Sequence, residues 1–237
     1  MERGKNMLEM KHVSIKAFDI PESWYKLLKF CSEHGTEWII QRGSRAGQKR
    51  KEFDSVSVQI TSPWFEPRLP EVPEGIPPPT DPNFVNEYMP YFMCGGKIKA
   101  EEDYTYGERI NEFPLSAEKT LSQVNHCIQM LKKTPQTNQA CIAIAMPTDI
   151  LLNEPPCMRE LDFRIRYEKL HAFTYFRSWD LWGGYPTNIP AIQQLKEYMA
   201  KEIGVADGEI LAFSKGLHIY ETEWTFANEV VKGRRLS

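Results

Sequence analysis

Two alternating apolar runs, LDFRIRY and LHAFTYF, constrain the fold of this chain more than any other feature. Apolar residues alternate along both runs, with Thr174 as an exception in the second, which predicts two β-strands that bury one face and expose the other. Only Glu168 and Lys169 separate the runs. The pattern therefore predicts a β-hairpin that closes on Arg177.

A hairpin brings its two ends together, and both ends here carry reactive or charged residues. Cys157 stands just before the first strand, behind two prolines, while Arg177, Ser178 and Asp180 follow the second strand. A free thiol has a pKa of about 8.5, so a nucleophilic cysteine needs a nearby cation such as Arg177. The residues alone leave two interpretations open: a nucleophile with an anion clamp, or a packed cysteine beside a surface salt bridge.

Composition excludes some classes of function. The chain has 237 residues, a net charge of −3 and a hydrophobic fraction of 41%, which is typical of a globular protein and disfavours a general nucleic-acid binder. We find no apolar run of membrane-spanning length and no apolar signal core near the first residue, so we expect a cytoplasmic protein without a membrane partner.

Common cofactor and metal signatures are missing as well. The sequence contains no GxxxxGK[ST], no strand-associated GxGxxG and no HExxH, and its cysteines form no CxxC pair. A kinase, a Rossmann dehydrogenase and a zinc protease therefore lack their usual motifs, and we expect no metal site. The chemistry must come from side chains.

The remaining segments predict alternating strands and helices. We expect a helix from Pro21 to Gly35, a strand over SVSVQI (55–60), a helix over 116–133 capped by Ser116, and a long helix that ends at Gly204. A final strand is expected over EILAFSKGLHIYETEW. Prolines crowd the stretch at about 61–83, which predicts an extended surface excursion.

Four short blocks in a fixed order resemble the thymidylate synthase family, which includes the deoxycytidylate hydroxymethylases. They are PPC at Pro155–Cys157, FRSWD at Phe176–Asp180, GGYPTNI at Gly183–Ile189 and HIY at His218–Tyr220. The segment YTYG at Tyr104–Gly107 looks like a fifth. The resemblance covers roughly residues 100 to 224. It implies one α/β domain over 1–237, with a mixed β-sheet, flanking helices and a homodimer packed sheet to sheet.

The resemblance also implies catalytic roles. Cys157 resembles the nucleophile that adds to C6 of a pyrimidine and so activates C5 towards a one-carbon donor. Tyr106 resembles a residue that assists removal of the C5 proton. Asp180 resembles a contact on the folate side, and Glu87, at imperfect spacing, is similar to the glutamate of the family.

Nucleotide-binding roles follow in the same way. Arg177 and Ser178 resemble phosphate ligands, and Arg42 is similar to a mobile phosphate-binding arginine. His218 and Tyr220 resemble the pair that binds the sugar hydroxyl.

The residue that reads the base separates the branches of the family. Asn188 resembles this residue, and an amide both donates and accepts, which matches O4 and N3–H of uracil. Hydroxymethylases that act on cytosine have a similar site, but with an aspartate at the corresponding position. Asn188 therefore favours dUMP as the substrate.

Three departures from the family pattern stand out. Asn138 and Gln139 occupy positions where the family usually has two arginines that serve the partner subunit. Met158 stands where a histidine commonly follows the cysteine. Few residues follow Trp224, so the usual closing segment is expected to be short or missing. This short form resembles archaeal-type members, whose donor would be 5,10-methylenetetrahydrofolate or a related reduced pterin.

Three functions remain possible on these grounds. The first is C5 methylation of dUMP to dTMP, and the second is 5-hydroxymethylation of a pyrimidine nucleotide (dCMP, CMP or dUMP). The third, from another class, is a nucleotide-binding relative with degraded catalysis. The sequence does not distinguish ribose from deoxyribose.

Overall fold

The computed structural model describes residues 9–94 and 103–233, which form a mixed α/β fold. In this part of the chain the helices are α1 (Ile20–His34), α2 (Pro82–Cys94), α3 (Tyr106–Asn111), α4 (Gln123–Lys133), α5 (Tyr185–Ile203) and α6 (Trp224–Gly233). The strands are β1 (His12–Ala17), β2 (Thr36–Ile39), β3 (Lys49–Glu52), β4 (Ser55–Ile60), β5 (Phe113–Ser116), β6 (Lys119–Leu121), β7 (Cys141–Ala143), β8 (Met158–Arg166), β9 (Lys169–Phe176), β10 (Trp179–Asp180), β11 (Ala206–Ser214) and β12 (Leu217–Tyr220).

The largest sheet has six strands in the order β1-β4-β11-β9-β8-β7. The pairs β1–β4 and β11–β9 are parallel, and the other neighbours are antiparallel. The mixed sheet expected from the sequence is confirmed. One face packs on the helices, because alternate residues such as Leu161, Phe163 and Ala212 are buried.

The central hairpin is confirmed. Strands β8 and β9 pair antiparallel from Arg166–Lys169 at the turn to Met158–Phe176 at the open end. Tyr167 and Glu168 both have positive φ, 53° and 60°, as a two-residue hairpin turn requires. The open end therefore places Cys157 beside Arg177.

A second sheet of four strands, in the order β10-β12-β3-β2, lies next to this open end. The predicted final strand is in fact two strands: β11 belongs to the large sheet, and β12 to the second one. Gly216 lies between these two strands, where an added Cβ would lie 3.2 Å from the carbonyl oxygen of Arg177 and would require a small local shift. The second sheet thus presents its side chains to the hairpin end.

Two predicted helices agree with the structure. Helix α1 has the side chain of Asp19 as its N-cap, bonded to the amide of Glu22 at 2.8 Å. Helix α5 ends at Gly204, whose φ of 87° suits a left-handed C-cap.

The helix predicted over 116–133 is too long. Residues 113–121 form the small β5–β6 hairpin, and α4 begins only at Gln123, with Ser122 rather than Ser116 as its N-cap. The hairpin is mostly exposed, so its polar residues fit a helix and a solvated strand pair equally well, and periodicity could not decide between them.

Candidate active site

Cys157 and Arg177 are held together by the hairpin backbone. The amide of Arg177 donates to the carbonyl oxygen of Cys157 at 2.9 Å. The guanidinium of Arg177 then folds back and donates to the carbonyl oxygens of Pro155 and Pro156. The predicted juxtaposition of thiol and cation is therefore present.

The environment of Cys157 is a balance between burial and charge. Burial raises the pKa of this thiol, and the nearby positive charges of Arg177 and Arg159 oppose that rise. The carboxylates of Glu154 and Asp180 act in the same direction as burial. The arginines are thus the groups that favour a reactive thiolate.

Arg159 lies next to Arg177, although no pattern in the sequence singles it out. Its guanidinium donates to the carbonyl oxygen of Pro156 at 3.3 Å, and the Nε of Arg177 donates to the same oxygen at 3.1 Å. Two cations therefore share one acceptor immediately before Cys157.

Tyrosines form one wall around Cys157. The hydroxyl of Tyr106 accepts a hydrogen bond from the amide of Met158 at 3.3 Å. Burial raises the pKa of Tyr106 and Tyr104, and the charge of the Cys157 thiolate adds to the rise. Tyr106 is therefore a neutral phenol at physiological pH, able to donate or relay a proton but not to act as a phenolate base.

A buried ion pair anchors this wall. Thr105 caps α3, and Arg109 of the same helix donates to Asp149 at 2.8 Å. Asp149 is 1% exposed, and its other oxygen accepts the amide of Met146. The pair thereby ties α3, which carries Tyr106, to the chain that leads to Cys157.

Asn188 is positioned by aromatic side chains. Its Oδ1 accepts from the indole of Trp179 at 3.0 Å, and its Nδ2 donates to the hydroxyl of Tyr88 at 3.3 Å. Trp179 itself stacks on Phe176 with the ring centroids 3.7 Å apart. On α2 the buried side chain near the site is thus Tyr88, whereas Glu87, the predicted glutamate, is exposed.

His218 is buried and neutral. Its Nδ1 lies 2.8 Å from the carbonyl oxygen of Gly216, so Nδ1 carries the proton and Nε2 is an acceptor. Burial lowers the pKa of His218 to about 4. Nε2 is buried with no partner among the described residues, which suits a ligand hydroxyl as the donor.

The second sheet collects polar side chains on one face. His218 pairs with Asp180 on one side and with Glu52 on the other, while Tyr220 pairs with Arg50. Residues directly opposite in a sheet, and residues two apart on a strand, share a face. The two predicted sugar-binding residues and the predicted donor contact therefore face the same side.

Asp180 holds the turn that precedes α5. Its Oδ1 accepts the amide of Trp182, and its Oδ2 accepts the amides of Gly183 and Gly184. Burial raises its pKa, and these hydrogen bonds oppose the rise. A carboxylate offers about four acceptor positions, so about one remains for a ligand.

The basic loop before β3 reaches the site through Arg45. The predicted phosphate-binding residue Arg42 is exposed, and its guanidinium donates to the carbonyl oxygen of Leu152 at 3.1 Å. The guanidinium carbon of Arg45 lies 4.0 Å from the ring centroid of Tyr220. The loop is fixed to the cysteine segment, because the amide of Ser44 donates to Glu154. Ser178 is partly buried, and its Cα lies 3.6 Å from where a Cβ of Gly216 would be.

Metal-ligating groups, apolar helices and the other cysteines were compared across the described residues. In residues 9–94 and 103–233, no group of three or more His, Cys, Asp or Glu side chains is arranged to hold a metal ion. Within the same ranges, no helix is long and apolar enough to cross a bilayer. Cys31 and Cys127 are buried, and Cys141 is exposed.

Comparison with known proteins identifies the family. Residues 40–235 match the thymidylate synthase family. A Methanosarcina mazei protein is 33% identical over 97% of this chain and 99% of its own length. A Methanosarcina acetivorans protein is 31% identical over 92% and 94%. A Methanothermobacter marburgensis protein is 29% identical over 92% and 97%. Each carries the name "Putative thymidylate synthase", and the chain itself, by this match to more than half of its length, belongs to the thymidylate synthase family.

Proposed function

We propose that this protein methylates dUMP at C5 to form dTMP, through a covalent bond between Cys157 and C6 of the base. The observation that carries the proposal is Cys157 with Arg177 folded back beside it, at the open end of the hairpin. Asn188 and His218 face the same region from α5 and β12.

Cys157 begins the reaction. Its thiolate adds to C6, and the electron pair of the C5–C6 double bond moves to C5 and O4, which makes C5 nucleophilic. After C5 has bonded to the one-carbon unit, the C5 hydrogen leaves as a proton, and its electron pair would break the bond between that unit and the donor, leaving an exocyclic methylene on C5. Addition of hydride to this methylene would shift its double bond back to C5–C6 as the sulfur–C6 bond breaks and returns its electron pair to Cys157.

Neighbouring residues assist these steps. Arg177 stabilises the thiolate before attack and after release. The neutral phenol of Tyr106 donates or relays hydrogen bonds to the water that removes the C5 proton. The amide of Asn188 reads O4 and N3–H of uracil, and Nε2 of His218 accepts from the sugar hydroxyl.

The one-carbon donor is proposed to be 5,10-methylenetetrahydrofolate or a related reduced pterin. When bound, it supplies the one-carbon unit and, for methylation, a hydride. Asp180 fits such a ring, because about one acceptor position of its carboxylate remains after three backbone hydrogen bonds. A ring N–H of the donor would occupy that position.

We also expect a homodimer through the outer face of the six-stranded sheet. This face forms a concave surface with a volume of about 730 Å³, lined by residues including Phe173, Tyr175 and Phe213. Phe213 is 41% exposed, and aromatic side chains on an open sheet face are stabilised by a partner. Sedimentation of Phe213→Lys beside the unaltered protein tests the interface: a dimer that persists contradicts it.

Tritium at C5 provides the test of the reaction. With labelled dUMP and the donor, we expect release of tritium to water and formation of dTMP. Cys157→Ala should abolish release, whereas Cys141→Ala, which alters an exposed cysteine, should retain it. Tritium release from Cys157→Ala would refute the nucleophile. A 5-hydroxymethyl product would assign the chain to hydroxymethylation instead.

A further inference from the structure

The side-chain amide of Asn188 has a protein partner at each end. Its Oδ1 accepts from the indole Nε1–H of Trp179 at 3.0 Å, and its Nδ2 donates to the hydroxyl of Tyr88 at 3.3 Å. A primary amide offers two acceptor positions on its oxygen and two N–H donors on its nitrogen. One acceptor position and one donor therefore remain for a ligand, and Asn188 is only half-buried.

The indole of Trp179 is held in place beside this amide. Its ring stacks on Phe176 with the centroids 3.7 Å apart and the planes 1° from parallel, and the centroid of the Tyr185 ring lies 4.7 Å away. The residue is 2% exposed. An indole nitrogen donates and does not accept. Trp179 is therefore a fixed donor that requires oxygen, rather than nitrogen, at the end of the amide that it contacts.

Tyr88 is a permissive neighbour by comparison. A phenol hydroxyl both donates and accepts, so it can form a hydrogen bond with either end of an amide. Tyr88 is 8% exposed, and burial raises its pKa, so it is a neutral phenol at physiological pH. Contact with Tyr88 therefore stabilises the amide without deciding which end is oxygen.

Uracil and cytosine require opposite orientations of such an amide. Uracil presents an acceptor at O4 and a donor at N3, whereas cytosine presents a donor at N4 and an acceptor at N3. The orientation observed for Asn188 matches uracil. Cytosine would require the amide to turn by 180°, which would place its N–H groups against the Nε1–H of Trp179. Two donors that face each other leave a hydrogen bond unmade in a buried position, and this weakens binding.

We infer that Trp179 is a specificity-determining residue, which rejects cytosine nucleotides because it fixes the orientation of the Asn188 amide. This inference rests on the proposed function for the pyrimidine nucleotide and for the contact between Asn188 and the base. Trp179 acts through Asn188, so it is a positioning residue. The preference for one base should therefore change with a substitution of Trp179 alone, while Asn188 is retained.

Protection of Cys157 from iodoacetamide measures nucleotide binding without a one-carbon donor. Modification is followed by mass spectrometry of the peptide that contains Cys157, over a range of dUMP or dCMP concentrations. The ratio of the two half-protecting concentrations reports the base preference, because both nucleotides have the same sugar and phosphate. We expect Trp179→Phe, which keeps a ring but removes the donor, to reduce the preference for dUMP about 10- to 100-fold. An unchanged ratio would overturn the inference.

A second replacement at Trp179 preserves the shape of the side chain. Incorporation of an amino acid with a benzothiophene in place of the indole keeps both fused rings against Phe176 and removes only the N–H donor. We expect the same fall in the dUMP preference. This replacement decides the matter if Trp179→Phe fails to fold, and a preference as strong as that of the unaltered protein would count against the inference.

Tyr88→Phe is the matched control, because it removes the other protein partner of the same amide. The hydroxyl of Tyr88 can bond the amide in either orientation. Both nucleotides should therefore bind more weakly by a similar factor, and the ratio between them should remain unchanged. If the ratio fell as far in Tyr88→Phe as in Trp179→Phe, loosening of Asn188 would explain both variants and the inference would be wrong.

A double-variant cycle with Asn188→Asp isolates the contact between the two side chains. A carboxylate has oxygen at both ends, so Trp179 can donate to it in either orientation. We expect Trp179→Phe to change the ratio in the protein with Asn188 and to leave the ratio nearly unchanged in Asn188→Asp. An equal change in both backgrounds would show that Trp179 influences the base by another route, contrary to the inference.

Tritium release from C5 of labelled dUMP separates this inference from the proposed function. A preference for dUMP that depends on Trp179, without tritium release, would support the inference and contradict the proposed reaction. Tritium release with an unchanged ratio in Trp179→Phe would contradict the inference alone. Failure of both nucleotides to protect Cys157 in the unaltered protein would contradict both.

Discussion

The indole Nε1–H of Trp179 donates to Oδ1 of Asn188 over 3.0 Å. An indole only donates, so this bond fixes which end of the amide is oxygen. The orientation of Asn188, the residue proposed to read the base, is therefore set by its neighbour Trp179. Trp179→Phe keeps a ring against Phe176 but removes the donor, and we expect the amide to rotate. Binding of dUMP should weaken roughly 5- to 10-fold, measured by titration with dUMP and dCMP.

Asn188→Asp should change the preferred base. A carboxylate accepts from the exocyclic amine of cytosine, and it can still accept from Trp179. We expect dCMP to bind more tightly than dUMP in this variant, measured by protection of Cys157. An unchanged preference for dUMP would mean that another residue reads the base.

Removal of the cation beside Cys157 should slow its reaction. Arg177→Gln retains donors for the carbonyl oxygen of Pro156 but loses the positive charge that lowers the thiol pKa. We expect alkylation of Cys157 at pH 7 to be roughly 10-fold slower or more. Alkylation of Cys157 in Arg166→Gln, which removes a cation from the turn end of β8, is the control.

Removal of a carboxylate should have the opposite effect. Glu154 raises the pKa of Cys157 by its charge, and its Oε1 accepts from the amide of Ser44. Glu154→Gln keeps an acceptor at that position and removes the charge. Alkylation of Cys157 should therefore be roughly 2- to 5-fold faster. A slower reaction would show that the charge of Glu154 does not oppose thiolate formation.

Protonation of His218 should make the free energy of unfolding depend on pH. Its pKa falls from 6.5 to about 4 on folding, so the folded chain binds fewer protons than the unfolded chain between these values. Stability is then full above pH 6.5 and is lost as the pH falls towards 4, by about 2 to 3 kcal/mol. Denaturant unfolding of His218→Asn, in which an amide replaces the Nδ1–H donor, should show a flatter dependence over this range.

The Arg109–Asp149 pair should matter for stability more than any exposed pair. Arg109→Leu leaves Asp149, 1% exposed, as a buried charge without its cation, which costs about 3 to 5 kcal/mol. Asp149→Asn added to Arg109→Leu removes that charge and should recover part of the loss. Denaturant midpoints of the single and double variants measure the difference.

Sequence periodicity predicted the hairpin and the contact between Cys157 and Arg177 because a strand alternates regularly. Periodicity could not predict that the side chain of Arg159 lies beside Arg177. Arg159 is an even number of residues from the buried Leu161 and Phe163, so strict alternation would place it on the buried face. The pairing shifts register between Met158 and Glu160, and the amides of both Ile144 and Ala145 donate to the carbonyl oxygen of Arg159. This bulge redirects the side chain.

Residues far apart in sequence were harder still. Arg45 meets Tyr220 only because β3 pairs with β12, and a single sequence carries no sign of that pairing. Tyr88 reaches Asn188 through the packing of α2 on α5, whereas the resemblance to the family pointed, at imperfect spacing, to its neighbour Glu87. Local patterns thus predicted the nucleophile end of the site, and tertiary packing decided the rest.

The role of phosphate ligand that the family resemblance implies for Arg177 would couple proton and anion equilibria, because the same cation favours the Cys157 thiolate. An anion bound beside this guanidinium partly cancels the positive potential that favours the Cys157 thiolate. Its binding therefore raises the thiol pKa. By reciprocity, ionisation of the thiol weakens the anion by the same factor. Near the thiol pKa, binding of inorganic phosphate should therefore take up protons, and a pH indicator in weak buffer would record the uptake.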